Sequence, residues 1–490
     1  MIFKDDTAAF KCQPNWNLAH VLSFFWAIFK IFSIIEASYT KGRKEKMADE
    51  TANSYHHHMA IPWHDFVTDD NVTPARYANL VERASIVGRI GLMMLACGTG
   101  AWRVRNSMNV AAQTLGITCS ADIGLVSIEY TCMDEHRSYT QALSIPSTGV
   151  NTARLNALEN YMEKFEQNGK NWTTGEIHKE LNRIEHIGGL YAPWMVGLAA
   201  ALACSAFVFL LGGGPVEMLC SFFGAGIGNY VRRKMGDKSI TLFAGIAVAV
   251  AVACLCYDLL FNVVIYFFHV NSHHEAGYIG AMLFVIPGFP FITSGLDLSK
   301  LDMRSGLERG AFALVVITVA TLVGWVVAMI VNLQPENFIP LALSPMTYLV
   351  LRLIASFCGV FGFSIMFNSS IKMAATAGII GAFANTLRLE MVDFLHVPAG
   401  PAAFTGALLA GLLSSLARSR VGYPRIAITV PSIVIMVPGL YMYSAVYNIG
   451  LNSLSVGGMW AAKAALIVVF LPLGLIAARI IADPKWRYKS

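Results

Sequence analysis

The chain has 490 residues, of which 55% are hydrophobic and only 14% charged, and its mean hydropathy is +0.54. Soluble domains carry about a quarter charged residues, so a string of soluble domains is excluded and a polytopic membrane protein is indicated. Nine sparse cysteines with no CxxC pair exclude a disulfide scaffold, and a formal charge of +5 not gathered into one patch argues against a nucleic-acid binder.

Residues 1–72 read as an N-terminal extension, partly disordered. Within it, Leu18 to Ile35 is apolar on nearly every face, which fits a signal anchor, an extra membrane helix, or translated leader upstream of Met47. His56, His57, His58 and His64 invite a metal reading, but their surroundings resemble a solvated linker, so no metal is expected.

Acidic residues divide the rest. Of 31, 20 precede residue 193 and only 10 fall between Pro193 and Ala482. A small α+β domain is therefore expected over residues 73–190, ending where Gly188-Gly189 leads into Pro193-Trp194. Thr73-Pro74 reads as an N-cap with proline at the first helical position. Apolar residues then recur from Tyr77 to Leu95 on one helical face. A second helix follows from about Ala101, ended by Gly116. Ile123 to Thr131 and Tyr139 to Ile145 read as strands around a polar turn at Asp134-Glu135. Helices near 151–167 and 174–186 complete the domain, the latter opened by a Thr173-x-x-Glu176 capping box.

Ten apolar stretches follow, near 193–211, 215–231, 239–260, 276–296, 308–331, 345–367, 370–387, 399–417, 424–446 and 459–481. Each approximates the ~20 residues that cross ~30 Å of hydrocarbon. One alternating set of loops holds Arg232, Arg233, Lys234, Lys238, Lys300, Arg304, Arg309, Lys372, Arg418, Arg420 and Arg425, and the tail adds Lys485, Arg487 and Lys489. The opposite set holds only Arg388. This asymmetry predicts a plasma-membrane protein with its N-terminal domain and C-terminus cytoplasmic.

The stretches repeat at an offset of roughly 150 residues. Val285-Ile286-Pro287-Gly288 matches Met436-Val437-Pro438-Gly439, and Asn229-Tyr230-Val231-Arg232 matches Asn385-Thr386-Leu387-Arg388. Two five-helix repeats, residues 191–333 and 334–490, must be inverted because five is odd. The expected fold is thus a mainly α membrane protein of ten transmembrane helices in two inverted repeats, preceded by the α+β domain. Inverted repeats mark secondary transporters, whose broken helices expose backbone dipoles to substrate near the midplane. Pro287, Gly288 and Pro290, with Pro438, Gly439 and Tyr441, are the candidate breaks.

Several stretches resemble the threonine/serine exporter family. Pro287-Gly288-Phe289-Pro290, Gly295-Leu296-Asp297-Leu298 and Ser305-Gly306-Leu307-Glu308-Arg309 are similar to its signature. Ala121-Asp122-Ile123-Gly124-Leu125 and Gly149-Val150-Asn151-Thr152-Ala153-Arg154 resemble its N-terminal domain, and Pro431 to Tyr441 its second membrane module. The resemblance spans about residues 75–485. It implies ten spans, a cytoplasmic N-terminal domain and export of small amino acids driven by the proton motive force. Split members are linked to dicarboxylate (succinate) export, the alternative cargo. Partners implied are a small amino acid, protons and the bilayer, without nucleic acid or cofactor; a homo-oligomer is compatible.

Ionisable groups inside spans are costly and mark function. Asp297 is the preferred proton or substrate-ammonium site, with Arg309 or Arg304 as partner; the competing reading is an ion pair stapling a cytoplasmic loop. Glu217 either binds or caps its helix. Asp258, Arg352 and Lys372 lie at span ends, and Lys463 is expected to snorkel. Thr293, Ser294, Asn368 and Asn385 are candidates for a substrate hydroxyl or for helix–helix hydrogen bonds. Arg352 or Lys372 facing the cavity would favour a dicarboxylate. Gly224-x-x-x-Gly228 predicts close helix contact. A membrane-anchored hydrolase using His136, His178, Ser138, Cys119, Cys132, Asp122, Glu129, Asp134 and Glu135 is the third reading, but no GxSxG, HExxH or Walker pattern supports it. No catalytic residues are expected.

Overall fold

Asn79, not Thr73, starts the first long helix. In the computed structural model, which describes residues 61–66, 72–269, 277–331, 333, 338 and 341–484, Pro74 forms a β-bridge with Thr173 and Ala75 donates to the Trp172 carbonyl. That link holds the Thr73-Pro74 segment extended, so a single 3-10 turn intervenes before α1, Leu80–Ala96. Asn79 accepts from the Glu82 N–H at 2.9 Å and its amide donates to the Glu82 carboxylate at 2.7 Å, an N-cap with reciprocal closure. The apolar segment 18–35, His56 to His58 and the basic tail lie outside the described residues.

Helix α2, Ala101–Thr114, ends at Leu115 and Gly116, the latter at φ 72°. Three strands follow where two were expected: β1 Thr118–Ile123, β2 Ser127–Met133 and β3 Ser138–Ser144, in the antiparallel order β1-β2-β3. Strand β1 buries only Ile123, so it lacks the alternating apolar signal that marks a strand. The stretch 123–131 accordingly divides at Gly124, whose N–H donates to the Ser127 carbonyl. Ile128, Tyr130, Cys132 and Leu143 form the buried face, and the Tyr130 hydroxyl donates to the Ala84 carbonyl of α1. Helices α3, Thr152–Asn168, and α4, Thr174–Glu185, lie where expected, with both halves of the Thr173–Glu176 box formed.

Among the described residues twelve α-helices come next: α5 Pro193–Leu210, α6 Pro215–Asp237, α7 Leu242–Phe268, α8 Gly277–Ala281, α9 Gly288–Ser299, α10 Met303–Val331, α11 Pro345–Met366, α12 Ile371–Asp393, α13 Ala399–Val421, α14 Arg425–Val434, α15 Gly439–Gly450 and α16 Leu454–Ala482. Among the described residues, six helices are long and apolar enough to cross a membrane, or up to eight if each bent pair is one span. The bent pairs are Gly277–Val285 with Gly288–Ser299, at 59°, and Arg425–Val434 with Gly439–Gly450, at 50°. Helices α6 and α12 complete the ten predicted stretches but do not belong to those apolar spans. Both are 23 residues long and end in charge, at Arg232 to Asp237 and at Arg388 to Asp393. Each is packed between neighbours (α5, α7 and α8 around α6; α11, α13 and α14 around α12) and still exposes an apolar stripe, Leu219, Phe223 and Ile227 on α6 and Ile379, Phe383 and Leu387 on α12.

The packing pairs of the first five stretches recur in the second. Pairs α5–α6, α6–α7, α7–α10, α9–α10 and α6–α8 correspond to α11–α12, α12–α13, α13–α16, α15–α16 and α12–α14. Across the halves, α5 packs on α11, α9 on α16 and α10 on α15. Gly224 and Gly228 make the close contact expected of them: a Cβ at either would sit 2.7 or 2.8 Å from the Ala253 or Ala249 carbonyl oxygen of α7.

Candidate functional site: two crossed helix breaks and their cavities

Each break is made by an identical local rule. Proline removes an N–H donor and fixes φ, which ends the ladder of the preceding helix. Pro287 lies at φ −81°, ψ 58° and Pro438 at φ −82°, ψ 58°. The following glycine closes a three-residue turn in both: Gly288 donates to Ile286 at 2.8 Å, and Gly439 donates to Val437 at 2.9 Å. A new helix then starts, with Phe291 and Met442 donating back to the two proline carbonyls.

The breaks pack against each other. A Cβ on Gly288 would lie 2.5 Å from Val434 and 3.3 Å from Val437, both at the second break. A Cβ on Gly439 would overlap Ile286 and lie 3.0 Å from Leu283, at the first. Nearby, the buried Tyr278 and Tyr443 hydroxyls share a 2.6 Å hydrogen bond between α8 and α15. Close backbone approach at this crossing is therefore what the two glycines supply.

Each break opens on its own cavity. One, of about 510 Å³, is lined by Pro287, Gly288 and Pro290 together with Asn229, Arg232 and Arg309, and its far wall is Ser147 to Val150 of the N-terminal layer. The other, of about 340 Å³, is lined by Pro438, Gly439 and Tyr441 with Arg352, Arg388 and Asp393. Thus Pro287, Gly288, Pro290 and Arg309 share one cavity, and Pro438, Gly439 and Tyr441 the other.

The remaining candidates Asp297, Glu217, Thr293 and Asn385 all have partners within the protein. Asp297 is buried on α9 and lines neither larger cavity; it borders a small 70 Å³ space instead. Its Oδ1 accepts from the Ala101 N–H at 3.0 Å and so caps α2, and its Oδ2 accepts from Ser305 at 2.9 Å and pairs with Arg309 at 3.2 Å. Arg309 in turn donates to the Gly98 and Thr99 carbonyls at 3.3 and 2.8 Å. Arg309, not Arg304, is the partner; Arg304 pairs with Asp122 and with Glu308. Gly100 leaves room for the carboxylate, because a Cβ there would stand 2.5 Å from Oδ1.

Glu217 accepts from the Gly214 N–H at 3.0 Å, capping α6. Thr293 donates to the Phe289 carbonyl of its own helix, Ser294 to the Gly306 carbonyl, and Asn385 to Ser356 at 2.9 Å. Asn368 holds the chain entering α5, accepting from Leu190 and donating to Asn151 at 2.8 Å. Beside it Thr152 donates to the Phe367 carbonyl, so the N-terminal layer grips the α11–α12 turn as well as α9 and α10. Asp258 is buried with its carboxylate accepting from Asn262. Lys372 is exposed, and exposed Lys463 lies 4.8 Å over the Trp460 ring, as a snorkelling lysine does.

The hydrolase candidates do not converge on one site. His178 is buried against Arg89 at 3.0 Å, Asp122 is bound to Arg304, and Asp134 pairs with Arg83. Backbone N–H groups of His136 and Arg137 hold the Asp134 carboxyl below its ordinary range. Cys119 and Cys132 face one another across β1 and β2, and their hydrogen bond lowers the first thiol and raises the second.

Sequence reasoning passed over two members of the cavities, Arg232 and Asn229, because it treated Arg232 only as one of many basic loop residues. The signal was present: Asn229 and Arg232 align with Asn385 and Arg388 at the same places in two 23-residue helices.

A mainly helical chain with six to eight candidate spans and two interrupted helices crossing at its centre is a multi-pass membrane protein. The chain belongs to the threonine/serine exporter family: residues 85–332 match the family described as "Putative threonine/serine exporter", and residues 352–481 match "Threonine/Serine exporter, ThrE". It is also similar to the "Probable succinate transporter subunit YjjP" of Klebsiella aerogenes, 25% identical over 154 residues, and to that of Escherichia coli, 26% identical over 153. Each match covers 31% of this chain and 57% of the relative, so the chain spans little more than half the length of these relatives. No solved structure matches.

Proposed function

We propose that the chain is a secondary transporter that exports threonine and serine across the plasma membrane, driven by the proton motive force. In this reading ten crossings form two repeats of opposite orientation, and the reciprocal packing of the two Pro-Gly breaks, each on its own cavity, is the observation that carries it. Like-paired helices in the two halves support the repeat, and odd-numbered repeats insert in opposite senses. In this reading the 510 Å³ cavity, lined by Ser147 to Val150 and by the basic residues Arg232 and Arg233, faces the cytoplasm, which the charge asymmetry of the loops supports. The 340 Å³ cavity then faces outward. The N-terminal layer, latched through Asp297 and Arg309, acts as a cover over the cytoplasmic mouth. Because every Asp297 oxygen is occupied by protein donors, a staple is the better reading of that residue than direct substrate contact.

Arginines line both cavities, which favours a second reading, export of a dicarboxylate, in keeping with the name of the similar subunits. Cells fed threonine-containing dipeptides test the first. The intact protein is expected to lower internal threonine, and an uncoupler to abolish the effect. No difference from an empty vector, with the protein present in the membrane, rejects amino-acid export, and succinate efflux from the same cells measures the rival cargo.

A further inference from the structure

The arginines of the two cavities obey a second symmetry besides that of the breaks. Helices α6 and α12, Pro215–Asp237 and Ile371–Asp393, are both 23 residues long and align position for position at an offset of 156. Arg232 and Arg388 occupy the same place in them, one turn beyond buried Asn229 and Asn385. Arg232 lines the cavity at the first break, and Arg388 the cavity at the second.

Their neighbours already have partners. Arg233 donates to the Met366 carbonyl at 3.0 Å. Arg309 is paired with Asp297, and Arg352 with Glu390 at 2.8 Å and with Asp393. Arg232 and Arg388, by contrast, make no hydrogen bond or ion pair among the described residues, and the Arg388 Nε is buried without an acceptor. Asp237 lines the first cavity, and Asp393, which lines the second, pairs with Arg352, so each half-buried guanidinium keeps donors free for an anionic ligand. Its planar fork matches a carboxylate through two parallel N–H···O bonds. Beside Arg232, the Oδ1 of Asn229 is a buried acceptor without a donor. It suits an ammonium or hydroxyl group on the same small molecule.

Resting on the transport reading above, we infer that Arg232 and Arg388 are equivalent carboxylate-binding residues, one for each face, that take the same carboxylate of a small organic acid or amino acid in turn. Substrate leaves Arg232 at the cytoplasmic cavity and is received by Arg388 at the outer one. The group bound at each step is a carboxylate, which threonine, serine and succinate share.

Inside-out and right-side-out vesicles bearing the full chain separate the two faces, with radiolabelled threonine and succinate as probes. Arg232→Gln is expected to raise the half-saturating concentration tenfold or more at the cytoplasmic face and to leave the outer face unchanged. Arg388→Gln is expected to do the reverse, and each Arg→Lys variant, which keeps the charge but loses the fork, to fall between. Transport by both Gln variants with unaltered half-saturation at both faces overturns the inference and leaves the transport reading standing. Absence of transport of either probe by the intact chain overturns both. Should the Gln variants not reach the membrane, thermal unfolding of the intact purified chain decides. Stabilisation by threonine or succinate but not by threoninol, which has no carboxylate, supports the inference; equal stabilisation by threoninol overturns it.

Discussion

Removing one member of the Asp297–Arg309 pair leaves the other charge buried. Both residues are 2% exposed; they share Ser305, while Asp297 also accepts from the Ala101 N–H and Arg309 also donates to the carbonyls of Gly98 and Thr99. Breaking such a pair costs about 3–5 kcal/mol, because the remaining, largely buried ion has lost its counter-charge. At about 1.4 kcal/mol per decade, local opening rises by roughly two to three and a half decades. Asp297→Asn and Arg309→Gln each make this perturbation. The readout is amide hydrogen exchange at Arg103 and Val104, whose N–H groups bond the Gly100 carbonyl in the first turn of α2. Amides of β2 serve as an internal control. The double variant exchanges the ion pair for two neutral amides, so its cost is expected to be smaller than the sum of the single costs by about 3 kcal/mol. Single variants that change exchange by less than tenfold, or a double variant that is simply additive, refute the latch.

Gly439→Ala is expected to destabilise the chain by about 1–3 kcal/mol through overpacking on Ile286 and Leu283. Ile286→Val is expected to recover part of that loss, which thermal unfolding of single and double variants checks; an unchanged midpoint in Gly439→Ala counts against the crossing. Cys97 is buried and its thiol is pushed up to about 12, burial outweighing the nearby Arg154. At pH 8 roughly one Cys97 in ten thousand is thiolate. Maleimide in the folded protein is therefore expected to label Cys119 at least a hundredfold faster, with labelling of Cys97 rising as pH climbs toward 12. Equal rates at pH 8 contradict that environment.

Local chemistry made part of this architecture readable. Thr173 and Glu176 satisfy each other's backbone across three residues, and proline followed by glycine interrupts a helix wherever it falls, so both features were evident from residue order. The onset of α1 was not, because Ala75 answers to Trp172, nearly a hundred positions away. Strand β1 hides for a different reason: with one buried side chain it carries no alternation, and only pairing with β2 makes it a strand. The site divided along the same line. The breaks were legible, and the partner of Asp297 was narrowed to Arg309 or Arg304, but the cap on Ala101, 196 residues distant, was not. Arg232 escaped notice because charge counting weighs a cation by its loop, whereas its setting follows from the register of α6 against α12.

The interlocked glycines have an evolutionary corollary. Neither break finishes its own centre: Gly288 is fitted by residues 434 and 437, and Gly439 by residues 283 and 286. A methyl gained on one side demands a methyl lost on the other, so the two halves drift as matched tallies do, notch against notch. Grafting one half from a distant relative onto the other should fail at this seam before it fails anywhere on the lipid-facing exterior.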